Sequence, residues 1–318
     1  MTLSILLLIL GLALVVFGAD FMVDGATKIA RRWGLSEFLI GLTVVGIGTS
    51  APEMAVSFIG AAQGNASVSL GNVIGSNIIN VLLILGLTAV ILPMAITKDN
   101  RKLDIPINII VTALLVILGL KHTLFGLGKD ELSYLEGALF LLLFIAYMIY
   151  CFKSGKSEEV AEEKTGKESV FLSLLMVVGG IAGLVFGGRL FVDNATGLAR
   201  ELGISDKFIA ITILAGGTSL PELATCVAAA VKKKGQLALG NIIGSNLFNI
   251  LLILGGSALI SPLSFEGISW VDISVLGLSA VYLLTCNFMW KKNILDRFDG
   301  AAFLLTWAAY MVYLFINL

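Results

Sequence analysis

Two copies of one polar motif lie 169 residues apart within otherwise apolar sequence, and this duplication limits the chain to folds built from two related halves. The first copy reads GIGTSAPE over residues 46–53, and the second reads GGTSLPE over residues 216–222. A further element, GNVIGSNIIN over residues 71–80, returns as GNIIGSNLFN over residues 240–249 at the same spacing. The two elements align without a gap, so the chain contains an internal repeat.

The composition excludes a water-soluble globule. Of the 318 residues, 58% are hydrophobic and only 14% are charged, and the mean hydropathy is +0.98. Soluble domains have a clearly lower apolar fraction and about a quarter of charged residues. The net charge of −1 comes from scattered side chains, so no basic face for nucleic acid is indicated. We therefore expect a polytopic membrane protein whose partner is the lipid bilayer, with no obligatory protein partner evident.

Apolar stretches of bilayer-spanning length, about 20 residues each, predict an all-α fold with ten transmembrane segments. Segments two, three, seven and eight carry the repeated motifs and are longer than a simple crossing requires, so we expect them to break or unwind part-way. The ten segments fall near residues 3–23, 37–62, 68–92, 104–120, 132–152, 170–192, 206–231, 237–260, 269–290 and 299–317.

The polar stretch 153–169 divides the chain into a first five-helix repeat, 1–152, and a second, 170–318. Most of the 21 basic residues follow odd-numbered segments, as in the clusters 28–32, 98–102 and 232–234. The excess of Lys and Arg marks cytoplasmic loops. This predicts a cytoplasmic linker and both termini outside the cytoplasm, in a cell inner (plasma) membrane. An odd number of crossings in each half makes the two repeats inverted, which is typical of secondary transporters.

The motifs place one acid in the middle of each interrupted segment. Glu53 and Glu222 would each cost about 3 kcal/mol at the centre of a membrane helix, and a bound cation offsets that cost. Pro52 and Pro221 follow glycine and hydroxyl residues and predict a local break, because proline removes a backbone donor and crowds the preceding turn. The freed backbone would line a polar cavity.

The remaining polar side chains of the motifs supply neutral oxygens. Asn72, Ser76 and Asn80 share one helical face, with Asn77 beside it. Gly71 and Gly75, with their equivalents Gly240 and Gly244, are expected to let another backbone approach closely. Two bidentate carboxylates with the carbonyls of Asn80 and Asn249 match the six to eight oxygens that calcium takes. The hydroxyls suit sodium, and the motifs contain no thiolate or imidazole for zinc or copper. These hydroxyls belong to Thr49, Ser50, Thr218 and Ser219.

The paired motifs GTSAPE and GTSLPE, each followed by GNxIGSN, closely resemble the alpha repeats of the cation/calcium exchanger superfamily, which includes the prokaryotic sodium/calcium exchangers. The resemblance covers both halves of the chain. It implies ten helices, ions bound between segments two, three, seven and eight, and a first and sixth helix that slide past this core. It implies ion ligands at Glu53, Glu222, Thr49, Ser50, Thr218, Ser219, Ser76, Asn80, Ser245 and Asn249.

One departure from that family bears on ion coupling. Many relatives have aspartate at one or both of the positions that hold Asn80 and Asn249 here. The predicted ligand set therefore carries at most two negative charges, which neutralise one calcium ion but not three sodium ions. The coupling ratio and the counter-ion stay open.

These observations together predict a secondary active antiporter that extrudes calcium against inward sodium by alternating access. It would use no cofactor, calcium and sodium being its transported ions. A proton/calcium or other divalent cation antiporter is the main alternative, with Glu53 and Glu222 carrying protons. A potassium-dependent sodium/calcium exchanger is a less favoured alternative. A channel with an oxygen-rich filter and an intramembrane acid/base enzyme are the remaining classes. The duplicated motif without a nucleophile argues against an enzyme.

Several polar residues outside the motifs have structural interpretations. Asp20 is expected to form salt bridges to neighbouring loops, and Asp24 and Asp193, at matching positions, are expected to be interfacial, with an ion-access role as the alternative. Glu37 and Asp206 follow Ser36 and Ser205, which are typical helix caps. Single cysteines without metal-ligand spacing are interpreted as small core residues.

Overall fold

The computed structural model describes residues 2–154, 169–202, 215–289 and 293–317, and within them the fold is built from helices. Much of the predicted linker and the start of segment seven, including Asp206, lie outside the described residues. In chain order the helices are α1 Thr2–Trp33, α2 Glu37–Thr49, α3 Ala51–Ala62, α4 Ala66–Ile91, α5 Asn100–Gly119, α6 Lys121–Phe125, α7 Tyr134–Ser154, α8 Val170–Glu201, α9 Ala215–Gly217, α10 Leu220–Val231, α11 Gly235–Ile260, α12 Trp270–Met289 and α13 Arg297–Asn317.

Seven helices among the described residues are long and apolar enough to cross a membrane, and α2 with α3 forms an eighth, bent span. Two shorter apolar stretches, Leu220–Val231 and Trp270–Leu284, lie where segments seven and nine are predicted. The polytopic all-α fold is therefore confirmed, whereas the count of ten crossings stays a prediction.

Helices α1 and α8 are both longer than the hydropathy pattern predicts. Each has 32 residues, and α1 includes Lys28, Arg31 and Arg32, which the sequence assigned to a loop. The reason is local: α1 ends only where Gly34 adopts a left-handed backbone with φ +64°. Two arginines in the last turn also interact favourably with the negative helix end. Hydropathy marks the membrane-embedded part of a helix and not its full extent.

The chain forms two compact units, which combine parts of both sequence repeats. Unit 1 comprises Met1–Pro52 and Phe152–Asn241, and unit 2 comprises Glu53–Cys151 and Ile242–Leu318. The two five-helix repeats, 1–152 and 170–318, are defined by sequence duplication and not by these contacts. That division stays a prediction.

Unit 1 is organised by close backbone packing of α1 against α8. Gly11, Gly18 and Gly25 recur every seven residues along α1, and a Cβ added at Gly18 would lie 2.8 Å from the carbonyl oxygen of Gly180. Glycine permits such contact because it has no side chain to separate the helices. We call this contact the glycine seam; in it Gly11 and Gly18 meet Gly180, Gly183 and Gly187, and Gly25 meets the carbonyl oxygen of Ser173.

A second close approach in unit 1 joins α2 to α11. A Cβ at Gly240 would lie 2.2 Å from the carbonyl oxygen of Phe38, which confirms the prediction for this glycine. For Gly71 and Gly75 no described atom lies within 4 Å of such a Cβ, so the prediction is wrong for these two glycines. The predicted cap is also present, since the Ser36 hydroxyl accepts a hydrogen bond from the amide of Leu39.

Unit 2 packs α4 against α13 and holds its loops with two short antiparallel pairings. Strand β1, Met94–Ala95, pairs with β4, Ile294–Leu295, and β2, Glu131–Leu132, pairs with β3, Leu263–Ser264. A Cβ at Gly86 of α4 would meet Phe303 and Gly300 of α13, so these helices also approach closely.

Candidate functional site

The predicted breaks occur at Ser50 and Ser219, the residues before the two Ala/Leu-Pro-Glu sequences. Ser50 has φ −78° and ψ 7°, and Ser219 has φ −86° and ψ 6°, so neither is α-helical. Pro52 and Pro221 lie in the first turn of the following helix, where a missing amide donor costs nothing. The acids Glu53 and Glu222 then belong to the first turns of α3 and α10, whose positive helix ends favour negative charge.

Segments three and eight are not interrupted, contrary to the expectation. Helices α4 and α11 are each continuous over 26 residues and widen into π-helical turns at Ile79–Leu85 and Asn249–Leu254. Asn80 and Asn249 lie in these turns. A π-helical turn exposes backbone carbonyls without breaking the helix, and such turns are frequent at functional sites.

In unit 1, residues of the first motif contact Glu222 and Asn241 of the second repeat. The hydroxyl of Ser50 donates a hydrogen bond to Oε1 of Glu222 at 3.1 Å, and the hydroxyl of Thr49 lies 3.2 Å from Oδ1 of Asn241. Glu222 and Ser219 are each only 1% exposed. We call Thr49, Ser50, Ser219, Glu222 and Asn241 the Glu222 cluster.

Asn241 is itself held by a sulfur contact that the sequence did not reveal. Its Nδ2 lies 3.3 Å from Sγ of Cys226, a buried residue one turn after Glu222. Cys226 was interpreted as a small core residue, and its burial confirms that, but it also orients a motif residue. The sequence holds one indication of this contact: the equivalent residue of the first repeat is Ser57, whose hydroxyl can also accept a hydrogen bond.

In unit 2, Glu53 has matching surroundings. The hydroxyl of Ser76 lies 3.5 Å from Oε1 of Glu53. Nδ2 of Asn72 donates to the backbone carbonyl of Glu53 at 3.1 Å and to the hydroxyl of Ser57 at 3.0 Å. We call these four residues the Glu53 cluster. Asn72 and Ser57 thus repeat the contact of Asn241 with Cys226 at positions 169 residues earlier.

Unit 2 also contains four buried asparagines that bond across the two repeats. Asn80 Nδ2 donates to Asn246 Oδ1 at 3.1 Å, and Asn249 Nδ2 donates to Asn77 Oδ1 at 2.9 Å. Asn77 Nδ2 donates to the backbone carbonyl of Asn246 at 3.2 Å. We call these residues the asparagine cluster.

The asparagine cluster leaves two oxygens without a donor. Oδ1 of Asn80 and Oδ1 of Asn249 are buried and have no hydrogen-bond partner among the residues that the structure describes. A buried acceptor left unpaired costs about 1–3 kcal/mol. A cation that takes these oxygens as ligands would remove that cost.

The predicted ligands are therefore buried polar groups within the two units. Nine of them are at most 2% exposed, whereas Thr218 is half-buried. No group of three or more His, Cys, Asp or Glu side chains gathers among the described residues. The nine buried ligands are Thr49, Ser50, Glu53, Ser76, Asn80, Ser219, Glu222, Ser245 and Asn249.

A charged contact lies at the end of α10, outside the motifs. Nζ of Lys232 lies 2.6 Å from Oδ1 of Asp20 and 2.6 Å from Oδ1 of Asp24, both on α1. Burial lowers the pKa of Lys232, but the hydrogen bonds and charges of the two aspartates outweigh it and raise that pKa. The salt bridge expected for Asp20 is confirmed, and Asp24 shares it.

Comparison with known proteins gives consistent matches over both halves. The chain matches the sodium/calcium exchanger protein family over residues 3–153 and 172–316. It is 34% identical to the sodium/calcium exchanger MaX1 of Methanosarcina acetivorans and 36% identical to the putative antiporter CaxA of Alkalimonas amylolytica, with 99% of each chain covered in both cases. Its structure resembles that of the sodium-calcium exchanger NCX_Mj, with a TM-score of 0.85, 34% identity and 98% of both chains covered.

These matches assign the chain to a class of transporters and not to enzymes. The described spans, the duplicated motifs and the buried oxygen ligands agree with that class. The chain belongs to the sodium/calcium exchanger protein family, and it is a membrane protein of cation/calcium exchange.

Proposed function

We propose that this protein extrudes calcium across the cell inner membrane in exchange for inward sodium, by alternating access. Glu53 and Glu222 bind the transported ions through their carboxylates, together with the hydroxyl and amide oxygens of segments two, three, seven and eight. Both termini lie outside the cytoplasm, and the two five-helix repeats are inverted. The membrane and the ions are its partners.

One observation carries this proposal: the asparagine cluster presents two buried carbonyl oxygens for which the described residues offer no donor. A hydrogen-bonding or enzymatic role would require donors there, whereas hard cations such as calcium and sodium take neutral oxygens as ligands. The relative MaX1 is named a sodium/calcium exchanger, and NCX_Mj was soaked with sodium and calcium. These names support the choice of ions.

The charge of the ligand set supports an exchange mechanism. Two carboxylates neutralise one calcium ion, and an empty buried pair of acids would be costly. The protein therefore changes conformation with ions bound and not with empty acids, which couples the two fluxes. Asn80 and Asn249 add no charge, so the proposed ligand set carries at most two negative charges.

The test is uptake of radioactive calcium into proteoliposomes loaded with sodium, for the wild type, Glu53→Gln and Glu222→Gln. Uptake driven by the outward sodium gradient, and lost in both variants, is expected. Glu37→Gln is the matched control, because Glu37 is an acid paired with Lys234 outside the motifs and should retain uptake. Uptake that follows a pH gradient and ignores sodium would replace sodium with protons as the coupling ion, and current far above transporter turnover would indicate a channel.

A further inference from the structure

The side-chain carbonyl oxygens of Asn80 and Asn249 are the unpaired atoms because other asparagines accept hydrogen bonds from the side-chain nitrogens. An asparagine side chain can rotate by half a turn and exchange its oxygen for its nitrogen. The two orientations differ in function, since the NH₂ group carries donors and cannot bind a cation. Whatever fixes the orientation therefore decides whether residue 249 is a ligand.

The orientation of Asn77 is fixed by the main chain. Its Nδ2 lies 3.2 Å from the backbone carbonyl oxygen of Asn246, which can only accept. The amide nitrogen of Asn77 must face that oxygen, and its Oδ1 must face the other way.

This orientation is passed on to Asn249. Oδ1 of Asn77 lies 2.9 Å from Nδ2 of Asn249 and accepts its hydrogen bond. With its nitrogen held there, Asn249 directs Oδ1 to the side where no described residue donates. In the second pair, Oδ1 of Asn246 accepts a hydrogen bond from Nδ2 of Asn80 at 3.1 Å, so the nitrogen of this ligand is also held by an asparagine of the opposite repeat.

We propose that Asn77 and Asn246 are positioning residues for the transported cation: each holds the amide of a ligand from the opposite repeat, Asn249 and Asn80 respectively, with its carbonyl oxygen toward the ion. This inference rests on the proposed function and deepens it. Neither residue is a ligand itself. Both are 3% exposed or less, which excludes a role at the membrane surface.

The test is a double-mutant cycle on purified protein in detergent. Calcium affinity is obtained from the rise in unfolding temperature with calcium concentration. Asn77→Leu removes the acceptor at similar volume, and Asn249→Ala removes the ligand. Each single variant is expected to weaken calcium binding about tenfold, as for loss of one hydrogen-bonded ligand. The double variant is expected to be no weaker than Asn249→Ala alone, because Asn77 acts only through Asn249.

Two results would contradict the positioning role. A double variant about a hundredfold weaker than wild type would mean independent effects and would overturn the proposal, as would unchanged affinity in Asn77→Leu. Thr88→Val is the control, since Thr88 is buried in the same helix and, among the described residues, its hydroxyl bonds to Ile84 of its own helix alone. Its calcium affinity should equal that of the wild type.

A second cycle, Asn246→Leu with Asn80→Ala, tests the same relationship if Asn77→Leu does not fold. The binding measurement does not require exchange, so a wild type that binds calcium but fails to exchange it for sodium contradicts the proposed function alone. A wild type that neither calcium nor sodium stabilises would overturn the positioning role.

Discussion

The hydroxyl of Ser50 donates a hydrogen bond to Oε1 of Glu222 at 3.1 Å, so the helix break of one repeat contacts the acid of the other. Both groups are 1% exposed. The break is therefore a means of placing a donor beside a buried carboxylate.

Ser50→Ala is expected to weaken calcium transport. The substitution removes a hydrogen bond to a charged group, worth about 1.5–3 kcal/mol, and a proposed oxygen ligand. We expect the KM for calcium to rise at least tenfold in proteoliposome uptake. Thr43→Val removes a buried hydroxyl that donates to the carbonyl of Leu39 in the same segment and has no other partner in the described part of the chain, so it should leave the KM unchanged. Equal KM values for Ser50→Ala and wild type would show that this hydroxyl does not assist ion binding.

Two neighbouring glycines of α8 should respond to alanine with opposite signs. A Cβ at Gly180 would lie 2.7 Å from the carbonyl oxygen of Gly18, so Gly180→Ala must separate the helices of the glycine seam and lower the unfolding temperature. Gly179 is exposed, and no atom of the described residues lies within 4 Å of its Cβ position. Gly179→Ala should stabilise the helix by up to about 1 kcal/mol. Thermal unfolding in detergent measures both, and a stabilised Gly180→Ala would contradict close packing of α1 and α8.

The contact between Asn241 and Cys226 predicts a tolerant and an intolerant substitution. Cys226→Ser should preserve stability and transport, because serine stands at the equivalent position 57 and accepts from Asn72. Cys226→Val leaves Nδ2 of Asn241 without its sulfur acceptor and should cost about 1–2 kcal/mol. Unfolding temperature and calcium uptake are compared for the two variants. Equal loss in both would indicate that only the size of residue 226 matters.

The bridge of Lys232 to Asp20 and Asp24 predicts a pH-dependent contribution to stability. The pairs are partly exposed, so Lys232→Met should lower stability by only about 0.5–1 kcal/mol. Since the folded state raises the pKa of Lys232 above 10.5, this stabilisation is complete below pH 10.5. It is lost as pH rises through the folded-state pKa.

Lys233→Met is the matched control for this bridge, because Lys233 is exposed and adjacent in sequence. Unfolding of the three proteins between neutral and alkaline pH separates the effects. A difference between Lys232→Met and wild type that grows with pH would contradict the sign.

The helix breaks of the candidate site could be predicted from the sequence, whereas the course of the neighbouring helices could not. The breaks could be anticipated because Pro52 and Pro221 act on their own helices. The continuity of α4 and α11 could not, since a π-helical turn such as Ile79–Leu85 depends on packing, and the glycine that follows it, Gly86, is equally compatible with a break. The length of α1 was underestimated because charged residues can extend a membrane helix beyond its apolar part.

The contacts between the two repeats could not be predicted from the sequence either. Asn77 and Asn246 were visible as motif members, but their partners are 172 and 166 positions away in the chain. Periodicity assigns residues to a helical face and does not pair that face with another. The bond from Asn241 to the sulfur of Cys226 was hidden for the same reason.

The crossed bonds of the asparagine cluster make each half of the chain depend on the other. Residue 77 accepts a hydrogen bond from residue 249, and residue 246 accepts one from residue 80. A substitution at position 77 or 246 therefore changes the surroundings of an asparagine in the opposite half. Neither half contains by itself the acceptor that its own Asn80 or Asn249 uses.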